Sequence, residues 1–283
     1  MMNALEVKNL TKIYPKFTLD NVCFNVAVGH ITGLIGRNGA GKSTTLKGIL
    51  GLISTDGEVR VFDKAMATEE QVVKQMIGYV GGGFRYYPTK TLEAVGKVVS
   101  TFYSDWDENR YRQYLKDFAL DPTKKVHELS EGMKVKFSIA LAMSHNARLL
   151  IMDEPTSGLD PLSREEFCDI ILSLVREEGV TVLFSTHITS DLERIADDIV
   201  YIADGKILID EPLNDVLTKY SIAHFADIEQ ARDVHAIGVK PVKDGYEGLI
   251  PKGAEPIGAT VTQATLDHIM IHFESAKKEG IVC

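Results

Sequence analysis

The chain has 283 residues, of which 45% are hydrophobic, and a formal net charge of −9 at pH 7. This length is typical of one or two domains with a buried core. An acidic surface does not favour contact with phosphate backbones, so the composition argues against a nucleic-acid-binding protein.

The cysteines and the N-terminus indicate the compartment. The sequence has three widely spaced cysteines, Cys23, Cys168 and Cys283, and no CxxC pair. This spacing argues against a disulfide framework and a structural zinc site. Residues 1–14 carry charge from the start and lack the apolar core of a signal peptide. No apolar run approaches the ~20 residues that span a bilayer. We therefore expect a cytoplasmic protein, for which any membrane role depends on a partner.

Short strand-like runs alternate with longer helical ones, which is typical of a parallel or mixed α/β sheet. The predicted helices cover about residues 42–50, much of 91–120, a segment from about 131, and 161–178. Residues 199–203 and 206–210 are predicted to form a hairpin across Asp204-Gly205. The other predicted strands are residues 5–10, 22–28, 30–35, 58–63, 77–80, 148–152 and 180–185.

The character of the sequence changes after about residue 220. Residues 221–263 carry much of the remaining glycine and proline, which suggests short strands. Leu266, Ile269, Met270 and Phe273 then recur at the spacing of an amphipathic helix. We predict a main domain over residues 1–220 and a small C-terminal appendage over 221–283.

Residues 36–43 read GRNGAGKS, which fits the pattern GxxxxGK[ST] between an apolar strand and a helix. Such a loop turns backbone N–H groups and a helix N-terminus toward a phosphate. Lys42 can then reach the β and γ phosphates, and Ser43 can offer its hydroxyl to Mg²⁺. The alternative, a glycine-rich turn with an exposed lysine, does not account for the full pattern. The predicted ATP-binding residues are Gly36, Asn38, Gly39, Ala40, Gly41, Lys42, Ser43 and Thr44.

Two adjacent acids, Asp153 and Glu154, end the apolar run 149–152. Carboxylates at the end of a buried strand are costly unless a positive group meets them. They could be solvated loop acids. With the phosphate-binding loop upstream, however, the pattern favours Asp153 as a ligand of Mg²⁺ and Glu154 as the general base that polarises the attacking water.

Four further segments carry a family resemblance. They are Tyr14 and residues 129–133 (LSEGM), 157–160 (SGLD) and 185–187 (STH). Each has an ordinary structural reading, such as Ser130 as a helix N-cap. Their order and spacing, together with the phosphate-binding loop, resemble the ABC ATPase family over about residues 3–220.

The resemblance implies a fold class and a set of roles. The fold would be α/β, a P-loop NTPase core with an antiparallel β-subdomain and a helical signature subdomain at about residues 84–145. Two subunits would pair head to tail around two molecules of ATP, with Mg²⁺ as the metal. The implied roles are adenine stacking for Tyr14, ATP contact in trans for Ser130 and Gly132, coupling of the two sites for Asp160, and a γ-phosphate contact in catalysis for His187.

The sequence departs from the family pattern at two places. Gly82 stands where the family usually has a glutamine, and Glu131 with Met133 alters the signature. The altered signature resembles a subgroup of bacterial ATPases with separately encoded permeases, many of them exporters. In the aromatic segment 84–128, we expect Tyr86 and Tyr87 to face a partner. The rings of Phe102 and Trp106 are expected in the core.

We therefore predict an ATP-hydrolysing subunit of an ABC transporter, held at the inner face of the cell membrane by a separate permease and working as a homodimer or heterodimer. Export is the expected direction. The alternatives are a nucleotide-gated regulator with little turnover, which the missing glutamine favours, and an ABC ATPase without a role in transport.

Overall fold

A computed structural model describes residues 2–81, 87–254 and 260–278. By its internal contacts the chain divides into two units, Met1–Asp210 and Glu211–Cys283. The expectations for Gly82 and Tyr86 fall outside the described residues.

The first unit combines a mixed α/β core with a helical part. Its strands are β1 (Asn3–Tyr14), β2 (Phe17–Ala27), β3 (Ile31–Ile35), β4 (Asp56–Val61), β5 (Lys64–Ala65), β6 (Ile77–Gly81), β7 (Leu149–Asp153), β8 (Thr181–Thr186), β9 (Asp198–Ala203) and β10 (Lys206–Pro212), the last of which runs across the boundary. Its helices are α1 (Lys42–Ile49), α2 (Met66–Met76), α3 (Leu92–Ser100), α4 (Glu108–Asp117), α5 (Glu131–Ser144), α6 (Pro161–Glu178) and α7 (Thr189–Ile195).

The central sheet has the strand order β10-β9-β3-β8-β7-β6. Strands β9, β3, β8, β7 and β6 pair in parallel, and all of β3 and β8 is buried. Continuous apolar runs such as ITGLI and LLIM are typical of strands that are covered on both faces. The register pairs Ile35 with Thr186 and Asp153 with Ser185, so these strands end at one edge.

Helix α1 packs between this sheet and a second, antiparallel sheet of order β2-β1-β4-β5. Leu46 and Ile49 of α1 are fully buried in a cluster that includes Phe24 of β2 and Ile151 of β7. Because α1 follows the phosphate-binding loop directly, this packing fixes where the loop lies relative to both sheets.

Helices α3, α4 and α5 share a separate core, in which Tyr111 and Phe137 are buried and Trp106 packs at the margin. The expected core position of Trp106 is therefore confirmed. The expectation for Phe102 is wrong, because 71% of this residue is exposed just after α3.

The second unit has a four-stranded antiparallel sheet, whose strands lie in the order β12 (Ile237–Val242), β13 (Gly245–Pro251), β11 (Tyr220–Phe225) and β14 (Thr260–Gln263). The predicted amphipathic helix is present, and its Leu266, Ile269 and Met270 are buried. Among the residues described, the chain has no helix with the length and apolar character of a membrane span. The elements of this unit are α8 (Leu213–Lys219), β11 (Tyr220–Phe225), α9 (Ile228–Asp233), β12 (Ile237–Val242), β13 (Gly245–Pro251), β14 (Thr260–Gln263) and α10 (Leu266–Lys278).

A matched pair of glycines tests the packing of the first unit. Gly205, between β9 and β10, has a φ of +80°, and a Cβ built there would lie 1.9 Å from the carbonyl oxygen of Thr18. Gly29 has a φ of +76°, and a Cβ built there would have no atom of the described residues within 4 Å. We expect Gly29→Ala to lower the free energy of unfolding by about 1 kcal/mol through backbone strain alone. Gly205→Ala should lower it by about 2 kcal/mol more, because the methyl group also clashes.

The measurement is urea unfolding of the full chain, monitored by the fluorescence of Trp106. This residue is the one tryptophan in the sequence and reports on the first unit. Equal losses in the two variants would contradict the close approach of the β9–β10 turn to β2.

Candidate active site

The phosphate-binding loop joins β3 to α1. Gly41 precedes α1 with a φ of 121°, which a residue with a side chain rarely adopts. A Cβ on Gly36 would lie 2.4 Å from the carbonyl oxygen of Ile202 on β9, so only glycine fits there. The sequence pattern is thus explained by the close packing of the loop against the sheet.

Lys42 is the positive group at the centre of the loop, and only 5% of it is exposed. Its Nζ donates hydrogen bonds to the carbonyl oxygens of Gly36 (2.7 Å) and Arg37 (3.3 Å). The same Nζ lies 3.2 Å from Oε1 of Glu154. A buried ammonium group needs a negative partner, and in this structure the carboxylate of Glu154 is that partner.

Asp153 lies at the end of β7, beside the start of α1. Its Oδ1 accepts hydrogen bonds from the hydroxyl groups of Ser43 (3.2 Å) and Ser185 (2.7 Å). The structure therefore brings together Ser43 and Asp153, the two residues predicted to bind Mg²⁺. Carboxylate and hydroxyl oxygens are suitable ligands for Mg²⁺.

Glu154 follows β7 with a φ of 51°, an uncommon conformation for a non-glycine residue. Its Oε2 lies 2.6 Å from Nδ1 of His187, which stands just after β8. Its backbone N–H donates to the carbonyl oxygen of Ser185 (3.0 Å). The paired ends of β7 and β8 therefore bring together a carboxylate, an imidazole and, through Lys42, the phosphate-binding loop.

Lys42, Glu154 and His187 open onto one cleft with a volume of about 640 Å³. Of the residues predicted to act within one subunit, four are not among the described residues that line it: Tyr14, Gly36, Ala40 and Asp153.

Four of the residues that line the cleft were not predicted as site residues. Arg37 and Ser157 lie within the predicted segments 36–43 and 157–160, whereas Lys16 and Phe17 lie outside every predicted segment. Lys16 lies in the tight turn after Tyr14, and Phe17 begins β2, with its ring centroid 6.5 Å from that of Tyr14. Their position next to Tyr14 in the sequence is the signal that could have found them. The predicted residues that line the cleft are Asn38, Gly39, Gly41, Lys42, Ser43, Thr44, Glu154 and His187.

The residues predicted to act in trans form a separate group. Ser130, Gly132 and Asp160 are not among the described residues that line the cleft. Ser130 precedes α5, and its Oγ accepts a hydrogen bond from the N–H of Met133 (3.2 Å). A Cβ built on Gly132 would meet Oγ of Ser163, in the first turn of α6, at 3.4 Å. The starts of α5 and α6 are therefore neighbours.

Asp160 is the N-cap of α6. Its carboxylate accepts hydrogen bonds from the hydroxyl (2.6 Å) and the N–H (3.1 Å) of Ser163, which lower the pKa of Asp160 below its ordinary value. The unusual acid of the signature segment, Glu131, lies 2.7 Å from Nζ of Lys134. This ion pair offsets its negative charge within the chain.

Comparison with known proteins is consistent with this geometry. A family model described as ABC transporter matches residues 19–157. The chain is 34% identical to the bacitracin transport ATP-binding protein BcrA of Bacillus licheniformis over 76% of this chain and 71% of that protein. The chain belongs to the ABC transporter ATP-binding family.

Two further relatives agree with that assignment. The lantibiotic transport ATP-binding protein SrtF of Streptococcus pyogenes is 36% identical over 73% of this chain and 90% of that protein. A dimeric ATP-binding cassette, solved in a post-hydrolysis state with ADP and Pi, is 27% identical over 74% of this chain and 98% of that chain, with a TM-score of 0.64.

The predicted fold class and activity are thereby confirmed. The chain is an α/β ABC ATPase, a transporter subunit that binds ATP and couples its hydrolysis to transport.

The loop geometry makes a prediction for Lys42. We expect Lys42→Ala to raise the Kd for ATP at least about tenfold, because a buried positive charge within reach of bound phosphates is lost. Lys47→Ala is the matched control, since Lys47 lies on the exposed side of the same helix. Titration with a fluorescent ATP analogue measures both affinities, and an unchanged Kd for Lys42→Ala would contradict the assignment of the loop.

Proposed function

We propose that the chain is one half of an ATP-closed dimer that drives a separate transmembrane permease and exports its cargo. The observation that carries this proposal is the position of Lys42, Glu154 and His187 around one open cleft, with Ser130 and Gly132 outside it. We infer that Ser130 and Gly132 of a second subunit complete the cleft, because those of the same chain do not line it.

Within one subunit, Glu154 is the general base for the attacking water. His187 orients this water and contacts the γ-phosphate. Ser43 and Asp153 would hold Mg²⁺, which neutralises charge on the phosphates during transfer. In the structure Glu154 is 3.2 Å from the Lys42 ammonium group. When ATP binds, its phosphates compete for Lys42, and the Glu154 carboxylate becomes free to accept a proton from water.

Between subunits, the starts of α5 and α6 face the partner's ATP. Helix α5 has 14 residues, and its positive N-terminal end behind Ser130 suits a γ-phosphate. Asp160 lies beside it as the cap of α6 and links the two sites. A dimeric relative supports this arrangement. The second subunit is another copy of this chain or a related ATPase.

We propose that the permease contacts a groove between α2 and residues 101–104. Phe102 and Val72 are 71% and 50% exposed there, and such exposed apolar side chains are typical of interfaces. The side chain of Gln75 holds the groove together, because its Nε2 donates to the carbonyl oxygen of Phe102 (2.9 Å) and its Oε1 accepts from the N–H of Ser104 (3.0 Å). Tyr87, 52% exposed, is a further candidate for this contact.

The relatives named for bacitracin and lantibiotic transport support the proposed export. The complex would lie at the inner face of the cell membrane, where its ATPase subunits reach cytoplasmic ATP and Mg²⁺. The net charge of −9 supports a role without nucleic acid.

The role of Glu154 is tested by Glu154→Gln. We expect ATP binding to persist and turnover to fall by about 10²-fold or more, because the amide cannot accept the proton of the water. Glu165→Gln, on the exposed face of α6, should retain turnover. Steady-state phosphate release with Mg²⁺ measures both.

Retained hydrolysis in Glu154→Gln would exclude this residue as the base. A wild-type chain that binds ATP without turnover at any protein concentration would instead favour the nucleotide-gated regulator, to which the glycine at position 82 points.

The shared site is tested by Ser130→Arg. In the Glu154→Gln background, we expect this change to abolish ATP-dependent dimerisation on a sizing column, because the long cationic side chain fills the space of the partner's γ-phosphate. ATP binding to the monomer should remain. Ser104→Arg, an exposed site in the same helical part, is the control and should still dimerise. Dimerisation of both variants alike would contradict the arrangement in trans.

A further inference from the structure

A second bridge joins the segment after β7 to the segment after β8. Thr156 is fully buried, and its hydroxyl donates a hydrogen bond to Oδ2 of Asp191 (2.7 Å). Asp191 lies in the first turn of α7 and is only 6% exposed. A buried carboxylate in this position requires donors and a positive charge.

Arg164, in the first turn of α6, provides that charge. Its Nε donates to Oδ1 of Asp191 at 3.0 Å and lies 3.3 Å from Oδ2. Its Nη2 also donates to the hydroxyl of Ser190 (3.0 Å). Arg164 thus holds α6 to the start of α7, while Thr156 holds the turn after Glu154 to the same carboxylate.

The hydrogen bond between Thr156 and Asp191 joins the same two segments as the contact between Glu154 and His187. Thr156 follows Glu154 by two residues, and Asp191 follows His187 by four. The turn that contains Thr156 is closed by a hydrogen bond from the N–H of Ser157 to the carbonyl oxygen of Glu154 (3.2 Å). A shift of Thr156 away from Asp191 would therefore move the backbone of Glu154.

We infer that Asp191 is a positioning residue for hydrolysis. Its bonds to Thr156 and Arg164 fix the turn 154–157 against residues 187–191, and so set the geometry between Glu154 and His187. Because Arg164 is in the same helical turn as the cap Asp160, the bridge also connects the dimer-facing start of α6 to the base. The inference rests on the roles proposed for Glu154 and His187.

The chain contains its own control for a purely structural role. Arg194 of α7 and Asp169 of α6 form another Asp–Arg pair between the same two helices, at 2.7 Å. Their side chains are 39% and 62% exposed, and neither touches the turn 154–157 in the contacts described. Loss of this pair removes a link between α6 and α7 without freeing Thr156.

The first experiment compares Asp191→Asn and Thr156→Val with Asp169→Asn in steady-state ATP hydrolysis. We expect kcat to fall about tenfold or more in the first two variants, since small misplacement of catalytic groups has effects of this size. The KM for ATP should stay within about threefold. Asp169→Asn should keep kcat within about twofold, and Thr156→Ser, which retains the hydroxyl, should recover most of the activity. A wild-type kcat in both Asp191→Asn and Thr156→Val would overturn the inference.

The second experiment does not depend on turnover. Hydrogen–deuterium exchange of the apo chain should quicken in residues 154–157 and 187–191 together in Asp191→Asn and in Thr156→Val, and in neither segment in Asp169→Asn. Faster exchange confined to 187–191 would overturn the bridge. Retained turnover in Glu154→Gln would refute the proposed base, while coupled exchange of the two segments would still be measurable.

Discussion

The parallel register of the central sheet is the constraint on which the site depends. Pairing of Asp153 with Ser185 and of Ile35 with Thr186 places the ends of β3, β7 and β8 at one edge. The two acids, Ser185 and His187 lie within two residues of the end of one of these strands, and Lys42 lies on the helix α1 that follows β3. Both faces of these strands are covered, so a slip of one residue would exchange the side chains between the two faces and disrupt the close packing on each. The register that preserves the core therefore also fixes the positions of the acids, the serine and the histidine.

Charge compensation is the second organising feature. Lys42 is buried and lies against Glu154, while Arg164 lies against the buried Asp191. The first pair borders the cleft and, in the proposed mechanism, separates when phosphates bind to Lys42. The second pair is away from the cleft and keeps its partners, so it can hold the surrounding backbone in place. On these proposals, one chain would use similar ion pairs for binding and for positioning.

Much of this arrangement could be predicted from local patterns. The loop 36–43, the acids after β7 and the histidine after β8 all have short-range signals, and the limits of α6 agree with the predicted 161–178. The contact of Thr156 with Asp191 could not be predicted, because these residues are 35 positions apart and neither belongs to a motif. Phe102 was misplaced because an aromatic ring gives the same sequence signal in a core and at an interface. The sequence shows which side chains are apolar, and only the fold shows which of them remain uncovered.

The exposed groove beside α2 has a consequence for the biogenesis of the protein. Phe102 and Val72 would remain exposed to solvent in a newly synthesised subunit until it assembles with its membrane partner. Contiguous apolar surface of this kind promotes aggregation of orphan subunits. Balanced synthesis of the two components would therefore protect the ATPase, and co-expression with the permease should increase its soluble yield.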